Sequence, residues 1–245
     1  MDLSKYDKDV VISSQKEALR TAYKRSLFLT CKGLLGYKDV NLATHRGTIA
    51  ALESPSQRKL IVLPRGSLKS SICDVAYPIW LLLKDPNRRI LIDSELVTNS
   101  STFLREIKAH LENPLITDLF GTFRTEDNWT QTSITIKQRT HPFKESSITC
   151  GGVGTVKVGQ HYDVIIGDDY NSNKNSDTPE GLEKVVRHYK MNQSILEPTG
   201  TYVIVGTRYA SLDCIGYILE QELGIPYDKQ KSGTFDSNDA ANGLL

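Results

Sequence analysis

The chain has 245 residues, enough for one large domain or two small ones with a sizeable core. Charged residues make up 24% and the net charge is +1, so no overall field draws the chain to nucleic acid or a membrane, and any DNA contact needs a local patch. The polar start MDLSKYDKDVVISS lacks the regions of a secretory signal, and the longest apolar stretch, YPIWLLL, is too short to span a bilayer. Cys31, Cys73, Cys150 and Cys214 are scattered without zinc- or disulfide-type spacing, so a soluble, intracellular protein is expected.

Residues 1–58 read as a helical lead-in, with QKEALRTAYKRSLFLTCKGLL and LATHRGTIAALE carrying apolar residues at three- and four-residue steps. Residues 59–222 then alternate strands with helices. KLIVL predicts a buried strand and KSSICDVAYPIWLLLK a helix that Pro78 kinks or divides. RRILID predicts a strand, followed by a helix from about Thr98 to Glu112. NWTQTSITIKQR alternates as a hairpin or edge strand does, and ESSITCGG reads as a strand ended by glycines. YDVIIGDD is a buried strand ending in two acids. In TPEGLEKVVRHYKMNQSIL, Thr178 is the expected N-cap and Pro179 the first helical residue. GTYVIVGTRY predicts a further buried strand and DCIGYILEQEL a short helix. Residues 223–245 are polar and aperiodic and read as a linker or disordered tail. Apolar strands separated by helices imply an α/β fold, a mostly parallel sheet flanked by helices. Ligands of such sheets bind at the carboxyl ends of strands, which here carry PRGSLKSS, DSE, DD and GTR.

The segment LPRGSLKSS, between a strand and a helix, ends like the phosphate loop G-x-x-x-x-G-K-[ST] but has Leu63 and Leu68 in the glycine slots. Amides around Ser67, Leu68, Lys69, Ser70 and Ser71 at a helix start would favour an anion whatever the side chains. Lys69 supplies a charge for phosphates, Ser70 a hydroxyl for Mg²⁺, and Arg65 a second cation. Leu68 is expected to avoid positive φ, leaving Gly66 alone to relax the turn. In VIIGDD, Asp168 suits a metal and Asp169 an attacking water; an isolated pair would read as a solvated Asp-Asp turn, but two adjacent acids ending an apolar strand well after a phosphate-type loop favour the functional reading. Thr207 and Arg208 stand at the next strand end. The basic stretch Lys137, Arg139 and Lys144 reads as a solvated face.

Taken together, LPRGSLKSS, RILIDSELVTNSSTFLREI, GQHYDVIIGDDYNS and VIVGTRY resemble the ATPase domain of the large terminase subunit of tailed phages, in the short-tailed-phage style. The likeness spans about residues 40–222. It implies an ASCE, RecA-like P-loop NTPase fold that uses ATP and Mg²⁺. Arg65, Gly66, Lys69 and Ser70 become its Walker A residues, Asp168 the Walker B aspartate, Asp169 the catalytic carboxylate and Thr207 the coupling residue. THRG near His45 resembles the family's segment close to the adenine. A basic residue ahead of the Walker B strand that acts on a neighbouring subunit has Lys157 as its nearest match and Arg139 as the next. The resemblance further implies double-stranded DNA, a portal protein and a small terminase subunit as partners, a ring of copies, and the host cytoplasm as location. The family's nuclease domain would begin where this chain ends, so no nuclease activity is expected. Three other readings remain: another nucleic-acid translocase, a nucleotide-binding assembly module without turnover, and a scaffold that binds no nucleotide.

Overall fold

The computed structural model describes residues 3–155, 159–208 and 213–225, with side chains from Ile12 onward. The linker reading of residues 223–245 therefore lies almost wholly outside the described residues.

Helix α1 (Leu3–Arg25) opens the chain, followed by a single turn α2 (Leu27–Leu29) that runs into a π-turn at Thr30–Leu34. Helix α3 (Leu42–Glu53) starts at Asn41, whose side chain accepts from the Thr44 amide. Strand β1 (Arg58–Val62) then leads into the loop 63–68. The predicted long helix begins as a π-turn at Ser71–Ala76 and continues as α4 (Tyr77–Lys84). Pro78 sits in the first turn of α4, so its missing N–H coincides with the change in winding. Next come β2 (Ile90–Ser94), α5 (Val97–Leu111), α6 (Pro114–Phe120), β3 (Ser133–Ile134), β4 (Ile148–Gly152) and β5 (Tyr162–Asp168). The chain continues with α7 (Asn173–Ser176), α8 (Pro179–Ser194), β6 (Leu196–Gly206) and α9 (Cys214–Tyr217), which runs into a last π-turn at Ile218–Glu222. As the sequence predicts, Thr178 caps α8 and Pro179 opens it.

The six strands form one sheet in the order β1-β6-β5-β2-β4-β3, parallel throughout except for β3 against β4. The expected hairpin-or-edge segment is thus a two-residue edge strand. Alternation along each parallel strand divides the core. Ile61, Ile92, Ile166 and Val205 face the side covered by the N-terminal helices, α4, α5 and α6. Leu60, Leu91, Ile165 and Ile204 face the side covered by α8 and the α9 segment. Both faces are buried, which explains why β2 and β5 read as nearly continuous apolar runs. Among the described residues no helix is long and apolar enough to cross a membrane.

This strand order decides what meets what. Val62 pairs with Gly206, Val205 with Asp168, and Asp168 with Ser94. The loop after β1, the Thr207 end of β6 and the two acids after β5 therefore emerge side by side.

At the other end of the sheet, Arg89 fixes the entry to β2. Its guanidinium donates to Asp163 at 2.9 Å and to Glu197 at 2.7 Å. Arg139 lies near this end, donating to the Glu145 carbonyl at 2.5 Å and lying over the Phe143 ring.

Candidate functional site

The loop 63–68 turns through two left-handed residues: Gly66 at φ +81° and Leu68 at φ +56°. This corrects the expectation that Leu68 stays at negative φ and leaves the turn to Gly66. For leucine such a conformation costs about 1–2 kcal/mol. Two features offset it: the Leu68 side chain packs against the main core, and its carbonyl accepts the Ile72 amide at 3.0 Å. The turn therefore retains its geometry without a second glycine. The amides of Lys69, Ser70 and Ser71 fall in the first turn of the following helix, where helix geometry provides no internal acceptor.

Lys69 is buried and its Nζ lies between the two acids, 2.6 Å from Asp169 Oδ2 and 3.7 Å from Asp168 Oδ1. Ser70 Oγ donates to Asp168 Oδ2 at 3.3 Å. Burial works against the charge on Lys69, but Asp168, the hydrogen bond to Asp169 and the nearby Asp74 together hold its proton more firmly than usual. Burial also pushes the Asp168 carboxyl up to about 7, because the pull of Lys69 is shared and Asp169 adds a like charge.

Asp169 adopts φ +41°, a second strained non-glycine position. Its amide donates to the Val205 carbonyl at 3.0 Å, and its Oδ1 accepts from the Thr207 amide at 3.1 Å. The Thr207 hydroxyl donates to the Leu63 carbonyl at 3.1 Å. Thr207 thus ties the start of the loop to the acid across the end of β6. Gly206 leaves room here, since a Cβ would come 3.3 Å from Asp169 Oδ1.

Asp74 is the residue that sequence reasoning missed. It lies in the π-turn four residues after Ser70, fully buried, and neither carboxylate oxygen has a hydrogen bond of ordinary geometry among the described residues. Burial first, then Asp168, raise its pKa well above the carboxylate range, with Lys69 opposing. Its signal was present in the sequence: one acid among Ile72, Cys73, Val75 and Ala76, all of which are core residues.

The residues fit a magnesium ion. Asp168 Oδ1 meets only the Lys69 ammonium at 3.7 Å, both Asp74 oxygens are buried without a hydrogen bond of ordinary geometry among the described residues, Ser70 Oγ stands beside Asp168, and the donors are all hard oxygens. Among the described residues no group of three or more His, Cys, Asp or Glu side chains forms a metal cage. A cation held partly by phosphate oxygens, as Mg²⁺ usually is, needs none.

Of the other predicted residues, Arg65 and Gly66 are exposed on the loop, Ser67 is half-buried with its hydroxyl unpartnered among the described residues, and Ser71 opens the π-turn. Arg208 lies 3.6 Å from Asp213. His45 is buried, with its ring Nδ1 set against Asn41 at the start of α3. Arg139 lies toward the opposite end of the sheet and does not join this cluster. It is half-buried, which departs from the expected solvated basic face, whereas Lys137 and Lys144 are exposed. Lys157 lies outside the described residues. Compared with protein-family models and with curated proteins, the sequence matches none.

Proposed function

We propose that this chain is a Mg²⁺-dependent ATPase of the P-loop, ASCE type, serving as the motor domain of a terminase large subunit that drives double-stranded DNA into a procapsid. One observation carries the catalytic part: Lys69, Ser70, Asp168 and Asp169 meet at adjoining strand ends, next to the free first turn of a helix. The packaging role rests on the resemblance of the four ordered motifs to terminase ATPases.

The geometry supports the following roles. Amides of residues 69–71 and the Lys69 ammonium cradle the phosphates, with Arg65 as an outer cation. Ser70 and Asp168 would hold a Mg²⁺ ion, which would supply positive charge against the phosphates. Lys69 is engaged by Asp169 at 2.6 Å. Phosphate binding draws Lys69 away and frees Asp169 Oδ2 to orient the attacking water. Thr207 holds the other oxygen of Asp169 and the Leu63 carbonyl, so movement at the phosphate reaches β6 and the loop together. On this reading the partners are DNA gripped through its phosphates, a portal protein, a small terminase subunit and further copies in a ring, in the host cytoplasm.

Calorimetry with Mg²⁺-ATP on the wild type and Lys69→Ala tests the reading. Binding by the wild type that disappears in Lys69→Ala supports it. A wild type that binds no nucleotide at millimolar concentration removes its mechanism. Binding without phosphate release, also from an assembled ring, would favour the assembly-module alternative.

A further inference from the structure

Asp169 depends on its successor in the chain. Its left-handed backbone reverses the strand, so that Tyr170 folds back over β5. The Tyr170 ring lies on Gly167 so closely that a Cβ there would be 2.4 Å from the ring and 2.6 Å from its hydroxyl. Only glycine admits this fold-back.

The hydroxyl is then fixed by three separate elements. It donates to Asp93 Oδ2 on β2 at 3.1 Å, accepts from Asn192 Nδ2 on α8 at 3.0 Å, and meets the Tyr202 hydroxyl on β6 at 3.0 Å. One donor and two acceptor positions are thus all used. Asp93 Oδ2 is itself held by His188 at 2.6 Å and Asn192 at 2.5 Å, and the His188 ring packs edge-on against Tyr170. The Tyr170 carbonyl accepts from Asn175 at 2.8 Å. Burial and the Asp93 carboxylate push the Tyr170 phenol well above its ordinary pKa, so it remains a donor.

We infer that Tyr170 is the positioning residue for Asp169, its buried hydroxyl anchoring the reversed turn that aims the carboxylate at the attacking water, with Gly167 making room for the ring. The inference rests on the ATPase reading above. Tyr170 does not itself meet nucleotide or metal; it acts by keeping Asp169 from relaxing to negative φ.

The experiment compares the wild type, Tyr170→Phe and Tyr189→Phe in steady-state ATP hydrolysis, Mg²⁺-ATP calorimetry and thermal unfolding. Tyr189 is the control: its hydroxyl binds Glu222 on the same face of the sheet, and none of its hydrogen bonds reaches Tyr170. Misplacing a catalytic group by about an ångström lowers turnover roughly 10- to 100-fold. Tyr170→Phe is expected to lose kcat on that scale while its nucleotide affinity stays within about twofold of the wild type, as for an interaction felt only in the transition state. Tyr189→Phe, which loses the part-buried hydrogen bond to Glu222, is expected to lower the unfolding midpoint less and to keep kcat. Wild-type kcat in Tyr170→Phe overturns the inference, as does an equal kcat loss in Tyr189→Phe. A wild type that hydrolyses no ATP as an assembled ring overturns the ATPase reading itself, and the inference with it.

Discussion

Replacing Asp168 by asparagine should stabilise the protein above neutral pH and, on the proposed ATPase reading, abolish turnover. The Asp168 side chain is 5% exposed, and burial raises its carboxyl from 3.8 to about 7. A raised folded-state value means that the native protein holds this proton after the unfolded chain has lost it. Stability from this group is therefore complete below about pH 4 and falls as pH rises toward about 7. Moving a carboxyl that far corresponds to about 4 kcal/mol. Asparagine escapes this cost but leaves Lys69 with Asp169 as its remaining close carboxylate, which reduces the expected gain to about 2–4 kcal/mol. For a chain of this size that is a rise of roughly 5–15 °C in Tm. Urea denaturation at pH 5 and pH 8 measures it: the gap between variant and wild type should be clearly wider at pH 8. A gap that does not change with pH, or a variant less stable at pH 8, would refute the reasoning.

Leu68→Gly should keep wild-type stability within about 1 kcal/mol, because relief of the left-handed strain offsets the lost packing of a half-buried side chain. Leu68→Ala keeps the strain and loses the packing, so it should fall about 1–3 kcal/mol below the wild type; denaturation midpoints that place Ala above Gly would contradict this. Arg89→Met leaves Asp163 and Glu197 without their shared partner and should destabilise by about 3–5 kcal/mol. The five residues of β2 put Arg89 about 16 Å from the acids, so Mg²⁺-ATP affinity of the folded variant should match the wild type by calorimetry.

Much of the fold was legible because buried parallel strands carry dense apolar runs, and Thr178-Pro179 marks a helix start by local chemistry alone. The proximity of Lys69, Ser70, Asp168 and Asp169 was also foreseeable, since each stands at a strand end or helix start, where α/β sheets gather their ligands. Leu68 was misread because intrinsic preference was weighed without the core contacts that hold its side chain. Asp74 was passed over because periodicity scores a lone acid in a buried helix as noise. The anchoring of Tyr170 joins residues 93, 170, 192 and 202, which only the strand order brings together. Arg139 looked like a surface cation because its stretch is polar; its half-burial comes from the Glu145 carbonyl and the Phe143 ring that meet it, neither of which the polar stretch around it signals.

The most direct test of the central claim is phosphate release by the wild type and Asp169→Asn, assembled as rings, with Mg²⁺-ATP binding measured on the same samples. The account predicts that both bind nucleotide, that the wild type turns over, and that Asp169→Asn is slower by about 100-fold or more, the scale of a lost general base. Equal turnover in the two, or a wild type that binds ATP and releases no phosphate, would contradict it.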